Sequence, residues 1–131
     1  DVELTKEDPK EHTKKAVDIL KSLGITDDII EAIKMHNEEA WETKSDEKFH
    51  IALRCSETVT GLITATAFIM PDKKLNSVKP ESVIKRFKDK RFAAGARREN
   101  IKECEKLGIG LNDFLSLSLS AMKEISDELG L

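Results

Sequence analysis

Three histidines, one mid-helix glutamate and a run of arginines and lysines are the side chains whose types and spacing point to chemistry. His36 follows Ile33 by three residues and Ile29 by seven, which places it on their inward helical stripe. An imidazole there either bonds a backbone carbonyl at the edge of a core or ligates a metal. His12 falls in the first turn of the first helix, as a solvated residue or as part of a site at that end. His50, between Phe49 and Ile51, suggests no partner. Glu57 follows Leu53 by four residues and precedes Gly61 by four, in the most apolar stretch of the chain. A carboxylate facing inward there needs a pairing cation, a proton or a metal. The other reading tilts it to the edge of the stripe and bonds it to Arg54 or to a neighbouring helix. Gly61, one turn on, leaves room beside the carboxylate for a ligand or another backbone.

The second candidate is cationic. Lys85, Arg86, Lys88, Lys90, Arg91, Arg97 and Arg98 are interleaved with Phe87 and Phe92. They form either a solvated face over inward-packed rings or a phosphate site built on charge-assisted hydrogen bonds, with Lys88, Arg91, Arg97 and Arg98 as its candidates. No phosphate-cradling glycine loop, catalytic Ser or Cys arrangement or zinc-finger spacing is present, and Gly108-Ile109-Gly110 reads as a turn between helices.

Composition limits what these residues can serve. Hydrophobic residues at 39% suffice for one core, while 36% charged residues demand extensive solvated helix faces. A net charge of -3 and the absence of tyrosine argue against nucleic acid and against an anionic membrane surface as partners. The uncharged run from Thr58 to Pro71 is too short to span a bilayer. Cys55 and Cys104 match no metal or redox spacing and read as buried free thiols, which implies a reducing, cytoplasmic setting.

The elements that must position the candidates are all helical. Asp8-Pro9-Lys10-Glu11 is a helix start with a capping acceptor, Pro at the first position and Glu three residues after the cap. That helix ends at Gly24. Thr26 caps a second helix running to about Ala40, with Asp27 and Asp28 at its positive end. Ser45 and Asp46 open a third and central helix, with Phe49, Ala52, Leu53, Val59, Leu62, Ile63, Ala67 and Met70 on its apolar positions, stopped by Pro71. Residues 72–79 read as a polar connector. Pro80 begins a short helix to about Lys88, an irregular stretch follows, and Arg97 or Arg98 begins a helix ending at Gly108. Asn112 caps the last helix, with Phe114, Leu115, Leu117, Leu119, Met122, Ile125 and Leu129 on or near its inner face. No segment alternates long enough to make a strand. The expectation is an all-α single domain over residues 1–131.

Taken together, these segments resemble the C-terminal two-thirds of a small HD-domain protein, from the HDIG-like group of metal-dependent phosphohydrolases. The stretches that carry the resemblance are residues 3–12, Ile33-Lys34-Met35-His36-Asn37, Glu57-Thr58-Val59-Thr60-Gly61-Leu62-Ile63, residues 87–95 and residues 121–130. The family holds metal through an N-terminal His, a His-Asp pair and a later Asp, with two further histidines in its two-metal members. The resemblance implies that His12 and His36 match those two histidines and that Glu57 matches the last carboxylate, with Glu in place of Asp. The first His and the His-Asp pair have no counterpart, and the chain is expected to begin just after the pair, Asp1 standing where an initiating Met does not.

The fold so implied is an HD-like bundle without its N-terminal helices, in which His12, His36 and Glu57 converge on one pocket. The implied cofactor is a divalent metal (manganese, iron, nickel or zinc), held weakly or not at all without the pair. The implied substrate is a small phosphorylated molecule such as a nucleotide, with the basic run assigned to its phosphate from charge alone. An apolar face left open predicts a homo-oligomer or association with a preceding segment. Two other functions fit the same residues: a helical scaffold that has lost the site, and a module that binds phosphorylated ligands without metal.

Overall fold

A computed structural model describes residues 13–131. The helix start at residues 8–11 and His12 lie outside the described residues. Every regular element among those described is helical: α1 (Lys14–Ser22), α2 (Asp27–Met35), α3 (Glu38–Trp41), α4 (Lys48–Phe68), a 3-10 turn (Leu75–Ser77), α5 (Pro80–Lys88), α6 (Arg98–Lys102), a second 3-10 turn (Glu103–Leu107), α7 (Leu111–Glu124) and α8 (Ser126–Leu129). The all-α expectation therefore holds for the described chain. Two compact units can be distinguished, Asp1–Arg54 and Cys55–Leu131. The residues of α4 fall in both.

In the first unit, α1 stops where a left-handed residue is required. Gly24 takes φ 74°, its N–H donates to the Lys21 carbonyl at 3.0 Å, and the Ile25 N–H donates to Leu20 at 3.1 Å. That pair of bonds satisfies two of the carbonyls a helix end leaves open. Thr26 precedes α2 in extended conformation, but its side chain does not cap the helix. It bonds the Asp28 carboxylate instead, which draws that carboxyl below its usual range. α2 ends at Met35, five residues before the expected Ala40, because the chain bends through His36 and Asn37 into the single turn of α3. Docking of Trp41 accounts for the bend. Its indole N–H donates to the Thr13 hydroxyl at 2.8 Å, and the Lys34 ammonium lies 4.5 Å above its ring. Ile30, Ala32, Met35 and Ile51 are buried, as is Arg54, whose guanidinium donates to the Met35 carbonyl at 3.1 Å and the Ser45 carbonyl at 3.1 Å.

In the second unit α4 supplies a buried stripe of Cys55, Val59, Leu62, Ile63 and Ala67. Thr66 is also buried, at no hydrogen-bonding cost, because its hydroxyl returns to the Leu62 carbonyl at 2.8 Å. Against this stripe pack Val83 and Phe87 of α5, Ile101 of α6, Cys104, and Phe114, Leu115, Leu119 and Met122 of α7. Full burial of each large side chain contributes about 1.5–3 kcal/mol. The connector at 72–79 is polar in composition yet anchored at two points: Leu75 and Val78 are buried in the same core. The Lys123 ammonium ties it further by donating to the Val78 carbonyl at 2.8 Å. The helix α7 is led by Gly110 rather than capped by Asn112, which sits exposed in its first turn. Of its expected inner residues, Leu117, Ile125 and Leu129 face solvent instead. Phe49 of α4 is exposed as well.

Both thiols are free and fully buried. Burial first, and then the charges of Cys55 and Glu105, push the Cys104 thiol up to about 11. An acid held protonated in the fold loses its proton first in the unfolded chain, near pH 9. Its contribution to stability is thus complete below about pH 8.5 and declines as pH rises toward 11. Urea titrations at intervals from pH 8 to 11 are expected to show a decline of up to roughly 2 kcal/mol that Cys104→Ala flattens. An equal slope in the variant would remove the thiol as its source.

Candidate functional site

His36 caps the C-terminal end of α2, half-buried, with Nδ1 2.6 Å from the Ile33 carbonyl. A carbonyl only accepts, so Nδ1 carries a proton. Of the two readings of its position, the carbonyl-bonded imidazole at a core edge is the geometry observed. That bond is also compatible with metal ligation through the other nitrogen, because it fixes tautomer and ring orientation.

Glu57 does not face the core. Its side chain is exposed on α4, where the Thr58 hydroxyl donates to Oε2 at 3.3 Å. Nor is it bonded to Arg54, which is turned inward onto carbonyls. Ser56, Glu57, Thr60 and Gly61 together form an open polar face on a helix whose opposite side is buried. The carboxylate therefore needs no pairing cation to be tolerated. A Cβ built at Gly61 meets nothing within 4 Å, so the room beside Glu57 is present.

His36 belongs to the first unit and Glu57 to the second, and each is described by its own surroundings. Among the described residues, no group of three or more His, Cys, Asp and Glu side chains is gathered to hold a metal ion. His50 is buried, with Nδ1 2.7 Å from the Ser45 hydroxyl and Nε2 3.8 Å from Glu47 Oε2. The Ser45 hydroxyl also accepts the Glu47 N–H at 3.2 Å. This set organises the entry to α4. It was not visible in the sequence because the partner lies five residues before the ring, outside the helix.

The basic run divides sharply. Lys88, Arg91 and Arg97 are exposed, as are Lys85 and Lys90. Arg86 is half-buried, its guanidinium 4.9 Å from the centre of the Phe92 ring. Arg98 is the exception. It is buried, and its guanidinium donates to six backbone carbonyls: Phe87 at 3.1 Å, Ala93 at 2.9 Å, Ala96 at 2.5 Å, Arg86 at 3.2 Å, Asp89 at 3.0 Å and Phe92 at 2.5 Å. Its five N–H groups are thereby spent on the chain. The expectation that Arg98 contacts phosphate is corrected, since an anion would have to displace these bonds. Burial lowers the pKa of its guanidinium, while the carboxylates of Asp89 and Glu99 pull it back up.

Comparison with family models, with curated proteins and with solved structures returns no match for this chain.

Two variants check this geometry. Gly61→Ala adds a methyl in open space at a helix-interior position, so urea unfolding should show a gain of about 0.5–1 kcal/mol. A loss would mean that the face is covered. Arg98→Met removes a donor from six carbonyls, of which those of Arg86, Asp89 and Ala93 keep a backbone N–H, and should cost about 3–5 kcal/mol. Arg98→Lys should recover only part of this, because an ammonium has three donors and no planar fork.

Proposed function

We propose that this chain is part of an HD-type metal-dependent phosphohydrolase acting on a nucleotide or another phosphate ester, with His36 and Glu57 as ligands of a divalent metal. The observation that carries the reading is the His36 ring, whose Nδ1–H is fixed by the Ile33 carbonyl at 2.6 Å. Metal-ligating histidines are usually held in this way, by a hydrogen bond from one ring nitrogen to a backbone carbonyl. Glu57 supports it from another side. An exposed carboxylate beside an uncrowded glycine can accept a ligand without giving up an internal bond of the core.

The donors fit the metal in kind. Imidazole and carboxylate suit manganese, iron, nickel or zinc, and such a metal would lower the pKa of a bound water and neutralise phosphoryl oxygens. They do not suffice in number. No His-Asp pair occurs in the sequence, so the remaining ligands come from His12 and from residues outside this chain. Exposed Leu23, Ile29, Phe68 and Leu117 support association with a second copy or with such residues.

A specific observation favours a second reading. Glu at position 57, where the HD pattern has Asp, lengthens the side chain by a methylene, and metal distances are held to about ±0.2 Å. That favours a helical scaffold that kept the fold and lost the metal.

Metal analysis of the full-length protein distinguishes the two. The phosphohydrolase reading expects about one or two metal ions per chain after loading with manganese or zinc. It also expects His36→Ala and Glu57→Ala each to weaken binding by about tenfold or more. A protein that stays metal-free after loading is the scaffold.

A further inference from the structure

The segment Lys85–Arg98 carries seven cationic residues against one carboxylate, Asp89, a net of +6 in a chain whose total is -3. The remaining residues therefore sum to -9. Arg98 determines how this charge is displayed. The peptide bonds of this turn are trans, so each carbonyl that points to the buried guanidinium aims the N–H of the same plane the opposite way. The carbonyls of Asp89, Phe92 and Ala93 point inward to Arg98. The N–H groups of Lys90, Ala93 and Ala94 consequently point away from it, and none has an acceptor among the described residues. Ala93 adopts a left-handed φ of 46°, which costs a non-glycine residue of order 1 kcal/mol and is maintained by the bonds around it. Asp89 is itself engaged, its Oδ1 accepting the Arg91 N–H at 3.1 Å, so the one carboxylate of the segment closes the turn.

We infer that the turn from Asp89 to Ala96 is a preorganised site for a multiply phosphorylated small molecule, bound by the outward N–H groups of Lys90, Ala93 and Ala94 and by the side chains of Lys88, Lys90 and Arg91. Arg98 is its positioning residue and touches no ligand. The N–H groups of Ala93 and Ala94 are consecutive around a left-handed residue, the arrangement that forms an anion-binding concavity, and the Lys90 N–H and flanking cations add further bonds. The ligand is compact because the positive charge is. An extended polyanion would run from this turn onto the rest of the second unit, where residues 55–84 are neutral in sum and residues 99–131 carry a net -4 that repels it. The site requires no metal, so it stands or falls independently of the His36 and Glu57 reading.

The test is a titration of the whole chain with inorganic tripolyphosphate at low salt in the presence of a chelator, followed by amide chemical shifts and calorimetry. The expected result is saturable binding with the largest shifts at the Lys90, Ala93 and Ala94 amides. Lys90→Ala with Arg91→Ala, both exposed, should weaken it about tenfold or more, whereas Lys73→Ala with Lys74→Ala should leave it within about twofold. Arg98→Lys should retain the exposed cations yet lose the amide shifts, which a purely electrostatic surface would not do. Absence of saturation, equal loss in the two double variants, or shifts spread over the whole basic run would overturn the inference. Tighter binding of duplex DNA or of vesicles rich in anionic lipid would overturn the choice of ligand class.

Discussion

A short helix leaves carbonyls at its C-terminal end with no partner in its own ladder, and in a core each one costs about 1–3 kcal/mol if it stays unbonded. Much of this structure follows from how that constraint is met. α2 and α5 are nine residues long, and both end near a buried arginine. Arg54 takes the Met35 carbonyl at the end of α2 and the Ser45 carbonyl just before α4. Arg98 takes Arg86 and Phe87 at the end of α5, together with four carbonyls of the turn that follows. In both places a guanidinium does what water does at an exposed helix end, and it fixes a loop in doing so. The charge stays on the arginine even when burial lowers its pKa, because the intrinsic value is so high.

That arrangement explains which parts of the fold could be read in the sequence. Helix starts and stops set by local chemistry were legible: Gly24, Pro80 and Gly108 stand where elements begin or end, and α4 runs between the expected limits. Positions decided by tertiary contact were not. Leu75 and Val78 look like incidental apolar residues in a polar connector, yet both are core residues. Leu117, Ile125 and Leu129 follow α7 at plausible spacing, but the helix already fills its inner face with Phe114, Leu115, Leu119 and Met122. The end of α2 depends on where Trp41 docks, and no window of sequence contains Thr13 and Trp41 together.

The candidate site shows the same division. The carbonyl bond of His36 is one of the two readings its position offers, and it is legible because its partner is local, three residues back. The spacing of Glu57 leaves it open between the core and the edge of the stripe, for a physical reason. An uncharged run of helix reads as buried on all sides, although only the Cys55, Val59 and Leu62 side needs to be. Its threonines and glycine were the signal: Thr60 and Gly61 share the open face with Glu57, and small polar residues suit a helix surface that is neither core nor fully charged. Arg54 also left a trace. It lies three residues after Ile51 and four before Thr58, on the buried stripe, where a cation is tolerated only when its donors are satisfied.

Arg98 carries the most general consequence, because it separates two roles that a count of basic residues merges. Seven cations in one segment suggest a single electropositive surface. One of them is the interior support of that surface, and it acts through the polarity of the peptide bond. By collecting carbonyls on the inside, it turns the amide dipoles of the turn so that their positive ends join the lysines and arginines outside. A buried positive charge and an exposed positive surface are thereby coupled through neutral backbone. The same guanidinium therefore governs both the stability of the second unit and the electrostatic character of its turn, and substitution at position 98 cannot change one without the other.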